Sequence, residues 1–222
     1  VYDIALSNDK IYAATGTGVY YASLTSPSLS YFDNWSKFSS VPYPDATYNN
    51  ISADNNYVYA SCTPEAQSTG LVYRISVSGS SMLLYSGENR AIKSIEAGAS
   101  GVLVATDIPV FLLSPDGTIL KSITSYSWGA PNTRQAICFM GSTWIADESV
   151  GLVETSDFLS FDNITLPGPY TNNVADIVIK DNNAFTAGGG VTNAWGNLFR
   201  PLQVFSLSNG VWNNTILYGA AD

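Results

Sequence analysis

The chain has 222 residues, 45% of them apolar and 13% aromatic, so it can bury a sizeable core and neither a disordered chain nor a collagen-like fibre fits. Nine basic residues against eighteen acidic ones leave a net charge of −9, which repels the phosphates of nucleic acid and an anionic lipid surface. Histidine is absent, which removes Ser-His-Asp and Cys-His catalysis and histidine-ligated zinc, and two cysteines cannot make a four-ligand metal site. No metal and no cofactor is expected.

The first residues, Val1-Tyr2-Asp3-Ile4, carry neither a basic nor an apolar export region, and the pattern starts abruptly on a strand. The start reads as that of a mature protein or of a segment from a longer one. A first β-favouring run, Tyr2–Leu6, is joined by Ser7-Asn8-Asp9 to a second, Lys10–Thr15, which ends in small residues. A third run opens at glycine, Gly18–Ala22, and a weaker fourth covers Trp35–Phe38. The same order recurs as Asn50–Ala53, Tyr57–Cys62, Gly70–Ile75 and Met82–Tyr85, and again as Ile92–Ile95, Val102–Thr106, Val110–Leu113 and Ile119–Ile123. It returns as Gln135–Phe139, Thr143–Asp147, Gly151–Thr155 and Asn163–Thr165, and finally as Val174–Val178, Ala184–Ala187, Val204–Leu207 and Val211–Asn213.

Aligning Ala14, Ala60, Ala105, Ala146 and Ala187 spaces the repeats by 46, 45, 41 and 41 residues. No stretch keeps a 3.6-residue apolar period, and no apolar window is long enough for a spanning helix. The fold class predicted is all-β. Four antiparallel strands per repeat of this length make one β-propeller blade, and five blades are visible, over residues 1–47, 48–89, 90–132, 133–172 and 173–222. More blades than five are expected in the complete propeller, since an open ring leaves two blade faces uncovered.

Five carboxylates are candidates for glycosidase-type acid and base work: Asp3, Asp107, Asp147, Glu148 and Asp176. Asp3 and Asp176 fill the same place in their repeats, which is the signature of a structural position. Asp147 and Glu148 close a second strand and read as a surface turn. Gly188-Gly189-Gly190 lacks the Lys-Ser/Thr and the helix that a phosphate loop needs, so glycines crowded at a strand end are the simpler reading. Among the tryptophans, Trp144 and Trp212 lie on predicted strands and are expected in inter-blade packing. Trp128 and Trp195 fall in loops and are the candidate contact residues for a ligand or partner. Cys62 and Cys138, on strands of non-adjacent repeats, are expected to be buried free thiols.

Two groups of motifs carry a family resemblance. Gly141-Ser-Thr-Trp-Ile-Ala-Asp-Glu-Ser-Val-Gly-Leu-Val153 resembles the repeat of two-component-regulator propellers. Lys10-Ile-Tyr-Ala-Ala-Thr-Gly-Thr-Gly-Val-Tyr20, Leu166-Pro-Gly-Pro-Tyr-Thr-Asn-Asn-Val174, Ala187-Gly-Gly-Gly-Val191, Ala194-Trp-Gly-Asn-Leu-Phe-Arg-Pro201 and Asn209-Gly-Val-Trp212 together resemble the PorZ family. These are N-terminal propellers of surface components of the type IX secretion system in Bacteroidetes. The resemblance runs along most of the chain and implies five of seven blades, with further domains to follow. It also implies an exported cell-surface protein that works with a sortase-like partner to attach cargo to lipopolysaccharide, and it assigns no catalytic residue and no lipopolysaccharide contact to this segment.

The expectation is therefore a non-catalytic cell-surface scaffold that binds protein through its blade-end loops, without nucleic acid as a partner. One alternative is the extracellular sensor propeller of a hybrid two-component system. The other is a five-bladed glycan-binding or glycoside-acting domain using Asp147 or Asp176.

Overall fold

The computed structural model describes residues 1–65, 67–165, 168–169, 171, 174–200 and 203–216. Much of the Leu166–Val174 motif, together with Pro201, lies outside them. The described chain forms five four-stranded antiparallel sheets, each a meander in chain order, which is the β-propeller architecture that the repeats predict. One 3-10 turn, Phe32–Asn34, is the single helical piece among the described residues, and no helix there is long and apolar enough to cross a membrane. The chain divides into two compact units, Val1–Ile164 with four sheets and Thr165–Asp222 with one.

In the first unit, blade 1 is β1 (Asp3–Ser7), β2 (Lys10–Thr15), β3 (Gly18–Ser23) and β4 (Ser36–Lys37). Blade 2 is β5 (Tyr48–Ala53), β6 (Tyr57–Cys62), β7 (Leu71–Ser76) and β8 (Ser81–Ser86). Blade 3 is β9 (Ser94–Gly98), β10 (Gly101–Ala105), β11 (Val110–Leu113) and β12 (Ile119–Ile123). Blade 4 is β13 (Thr133–Phe139), β14 (Ser142–Asp147), β15 (Gly151–Thr155) and β16 (Asp162–Ile164). The second unit holds β17 (Val174–Lys180), β18 (Asn183–Gly188), β19 (Gln203–Ser208) and β20 (Val211–Ile216).

Local chemistry explains the turns. Met140-Gly141, Asp181-Asn182 and Asn209-Gly210 are left-handed at both central residues, as tight hairpin turns that match the strand twist require. Gly18 opens β3 with φ +124°, and a side chain there would strike the Pro44 carbonyl. β4 is shorter than its predicted span because Trp35 ends the 3-10 turn, its indole donating to the Leu29 carbonyl at 3.0 Å. Phe38 leaves the sheet and turns into the core.

Three apolar layers join the four blades. The first sets Tyr12, Ala14 and Val19 of blade 1 against Ile51, Val58 and Ile75 of blade 2. The second sets Tyr59 and Val72 of blade 2 against Ile95, Val102 and Val104 of blade 3. The third sets Leu103, Ala105 and Ile123 of blade 3 against Ala136, Ile145 and Val153 of blade 4. Successive residues of β10 thus serve opposite layers, which is why Val102–Ala105 is buried without a break.

The alanine alignment needs one correction. Ala14 and Ala105 face the following blade, whereas Ala60 faces the preceding one. The strand register pairs Asp3 with Ala14, Asn50 with Ser61 and Ser94 with Ala105, so Ser61 is the true equivalent. One residue changes the face, so an alignment on Ala60 sets the wrong side of β6 against the other repeats.

Side chains also tie the first strands together across blades. Oδ2 of Asp3 accepts the amide of Ile51 at 2.8 Å, Oγ of Ser52 accepts that of Ala97 at 2.9 Å, and Oγ of Ser94 accepts that of Ala136 at 3.0 Å. Each bond satisfies an edge amide that the innermost strand's own sheet cannot.

Both cysteines are free, but only Cys62 is buried. Cys138 is exposed, correcting the expectation, because its position on β13 is outside the layer that buries Ala136.

Candidate binding surface and axial cleft

The structure gives the five carboxylates structural surroundings. Asp3 and Asp176 each accept the amide of the following residue, at 2.9 and 2.8 Å, and Asp3 adds the inter-blade bond to Ile51. Asp107 faces Arg90 at 3.6 Å, an exposed pair. Glu148 pairs with Arg134 at 2.5 Å, and that hydrogen bond and charge hold its carboxyl below the usual range.

Asp147 is not the surface residue expected from the sequence but is 4% exposed. Its Oδ1 accepts the amides of Ser149 and Val150, and its Oδ2 accepts the amide of Asn132 and the hydroxyl of Tyr126. Closing the β14–β15 turn and tying it to the β12–β13 connection together consume its acceptor capacity, so this carboxylate has none left for a substrate.

Trp128 sits in a tight turn clamped by Tyr126 and Gly129, whose amides and carbonyls bond to each other. Its ring lies 5.3 Å from that of Tyr126, at 32°, and Tyr126 is anchored in the core beneath. Trp128 is therefore a half-exposed aromatic on a rigid support. Trp195 is 86% exposed and stands on the β18–β19 connection, as does Phe199. That connection is internally bonded: Thr192 caps the amides of Ala194 and Gly196 with its hydroxyl, and Leu198 donates back to Gly190. Trp195 and Phe199 both have left-handed backbones, at φ +62° and +49°, a conformation that aromatic residues adopt only under constraint. The triple glycine lets this loop fold on itself, Gly189 and Gly190 both having positive φ. Trp144 is half-buried on the face of β14 opposite Ile145, with its indole nitrogen buried. Trp212 is half-buried on β20.

A feature that the sequence reading missed lies where β1, β5, β9 and β13 converge. They line a polar cleft of about 500 Å³ with Tyr2, Asn49, Lys93 and Arg134 toward the start of the strands, and Asp3 and Glu96 further along. Tyr2, Lys93 and Arg134 each stand one residue ahead of a partner of Ala14, Ala105 or Ala146, and that shared offset was the available signal. Burial, and then the Asp3 carboxylate, raise Glu96 above the ordinary glutamate range.

No protein-family model matches the sequence, and no curated protein does. Among solved structures, the chain is similar to PorZ, a surface component of the type IX secretion system of Porphyromonas gingivalis, with TM-score 0.60 and 15% identity. That match covers 97% of this chain and 28% of PorZ, so the chain spans little more than a quarter of its relative. It is similar also to the extracellular domain of the hybrid two-component system BT4673 of B. thetaiotaomicron, with TM-score 0.54, 16% identity, and coverage of 83% of this chain and 25% of that one. The WD40 propeller of Doa1 matches at TM-score 0.54 and 11% identity over 98% of this chain and 82% of its own. At these identities the likeness is one of fold, and fold by itself assigns no activity.

Proposed function

We propose that the chain is a non-catalytic propeller module of an exported cell-surface protein, and that the blade-end loop carrying Trp128 and the one carrying Trp195 each bind protein. The observation that carries this reading is the likeness to PorZ over 97% of the chain. Binding is favoured over catalysis by the engagement of Asp147 and by two constrained, exposed aromatics, the residue type that dominates interface energetics. The partner is a protein of a surface attachment complex, of the sortase-like kind that the PorZ resemblance implies. A sensor propeller is the second reading, favoured by the fold likeness to BT4673.

Site-specific photo-cross-linking in the producing cells tests the surface. Benzoylphenylalanine placed at Trp128 and at Trp195 should each trap one discrete protein, and the same probe at Val77, in the β7–β8 turn at the other end of its blade, should not. Cross-linking that is equal at Val77, or absent at both tryptophans, overturns the proposal.

A further inference from the structure

The cleft between β1, β5, β9 and β13 holds two opposite charges that leave each other unpaired. Lys93 lines it and is half-buried, yet its ammonium makes no hydrogen bond or ion pair among the described residues. The other cations of the first unit are engaged. Lys37, Arg90 and Arg134 face carboxylates, while Lys10, Arg74 and Lys121 lie over aromatic rings. Its charge acts on Glu148, but Arg134 already pairs that carboxylate directly, so in a chain of net charge −9 this half-buried ammonium keeps its capacity for an anion. Glu96, three residues further along, lines the same cleft, is half-buried, and accepts no hydrogen bond among the described residues. The Asp3 carboxylate adds to the negative field around it.

We propose that this cleft binds a small zwitterion of dipeptide length, its carboxylate held by Lys93 and Arg134 and its ammonium by Glu96 and Asp3. Lys93 immediately precedes β9 and Glu96 is its third residue, which sets the two anchors roughly 10 Å apart along the backbone. A dipeptide spans roughly 7 Å between its termini, and the long lysine side chain closes the remainder. A simple anion would meet Asp3 and Glu96, a simple cation would meet Lys93 and Arg134, and a neutral ligand would leave both charges unanswered. Because Glu148 already engages Arg134, Lys93 is the main anchor for the carboxylate. The cleft, at about 500 Å³, admits such a molecule, and the side-chain amides of Asn49 and Gln135 line it without bonds of their own, free to meet its peptide group. This site goes beyond the loop surface proposed above, uses none of its residues, and its failure would leave that reading intact.

Isothermal titration calorimetry of the full chain at neutral pH with alanyl-alanine, its N-acetyl form and its C-terminal amide tests the idea. Alanyl-alanine should bind, with each capped form weaker by at least about ten-fold. Lys93→Met should erase the preference over the amide, Glu96→Gln the preference over the acetyl form, and Lys93→Arg should keep both; circular dichroism melts verify that the variants fold. No heat with millimolar dipeptide on folded protein, equal binding of the capped forms, or Lys93-dependent binding of glucuronate without dipeptide binding would each overturn the proposal.

Discussion

Tyr126 donates its hydroxyl to Oδ2 of Asp147 at 3.2 Å, and both side chains are buried. The bond links the turn that carries Trp128 to the turn that ends β14. Burial first, and the neighbouring Asp147 charge second, raise the Tyr126 phenol well above its ordinary range, so it stays a donor at every physiological pH. An asparagine at position 147 must point its amide hydrogens at one of the two donor pairs. Asp147→Asn should therefore cost about 3 kcal/mol and Tyr126→Phe about 1 kcal/mol, measured by urea denaturation. Equal stability of Asp147→Asn and the parent would mean that the turn is held by other means.

The inter-blade serine bonds predict local effects. Ser94→Ala leaves the buried amide of Ala136 without an acceptor and should cost about 1–2 kcal/mol. Hydrogen exchange should quicken at Ala136 and not at Ala97, which is held by Ser52. Uniform quickening of both amides would count against a separate bond at each junction.

Thiol chemistry should separate the cysteines. Burial pushes the Cys62 thiol up to about 11, whereas Cys138 is exposed. A disulfide exchange reagent at pH 8 should titrate one thiol per native chain and two in denaturant. Two fast thiols in the native protein would show that Cys62 opens readily.

The raised carboxyl of Glu96 carries a sign. Its folded form holds its proton to higher pH than the unfolded form, so its contribution to stability falls as pH rises from the unfolded value toward the folded one and stays unfavourable above. Glu96→Gln should be slightly more stable than the parent at pH 7, with the difference fading as the pH drops below about 4.5, its unfolded value. An unchanged difference from pH 7 down to pH 4 would remove Glu96 as the cause.

Trp195 predicts the opposite of a core residue. Trp195→Gly relieves a left-handed backbone and loses no burial, so stability should stay level or rise by up to about 1 kcal/mol. A loss of more than about 1 kcal/mol would place the indole in the packing of its unit.

Much of the fold was legible. β2, β6, β11, β12 and β15 occupy their expected spans because each couples a β-favouring run to a sharp turn signal, and both signals act locally. Trp128 and Trp195 were legible as loop aromatics for the same reason. Cys138 was misread because a strand's sequence does not say how far along a face the neighbouring blade reaches: Ala136, two residues back on the same face, is buried and Cys138 is not. Asp147 was misread because its partners Tyr126 and Asn132 come from another connection, and no local pattern announces a carboxylate that closes a turn from within.

The amino-acid sequence by itself determined the repeat, the meander of four strands and the places where the chain turns, since these follow from period-two alternation and from Asn, Asp and Gly at left-handed positions. Tertiary structure alone decided the faces. The pairing that puts Ser61 rather than Ala60 at the equivalent place is set by strand register, and the convergence of Lys93, Glu96 and Arg134 on one cleft depends on how separate blades stack. Side chains about forty residues apart become neighbours only when apolar layers fix the angle between sheets, and that angle is written in no single strand.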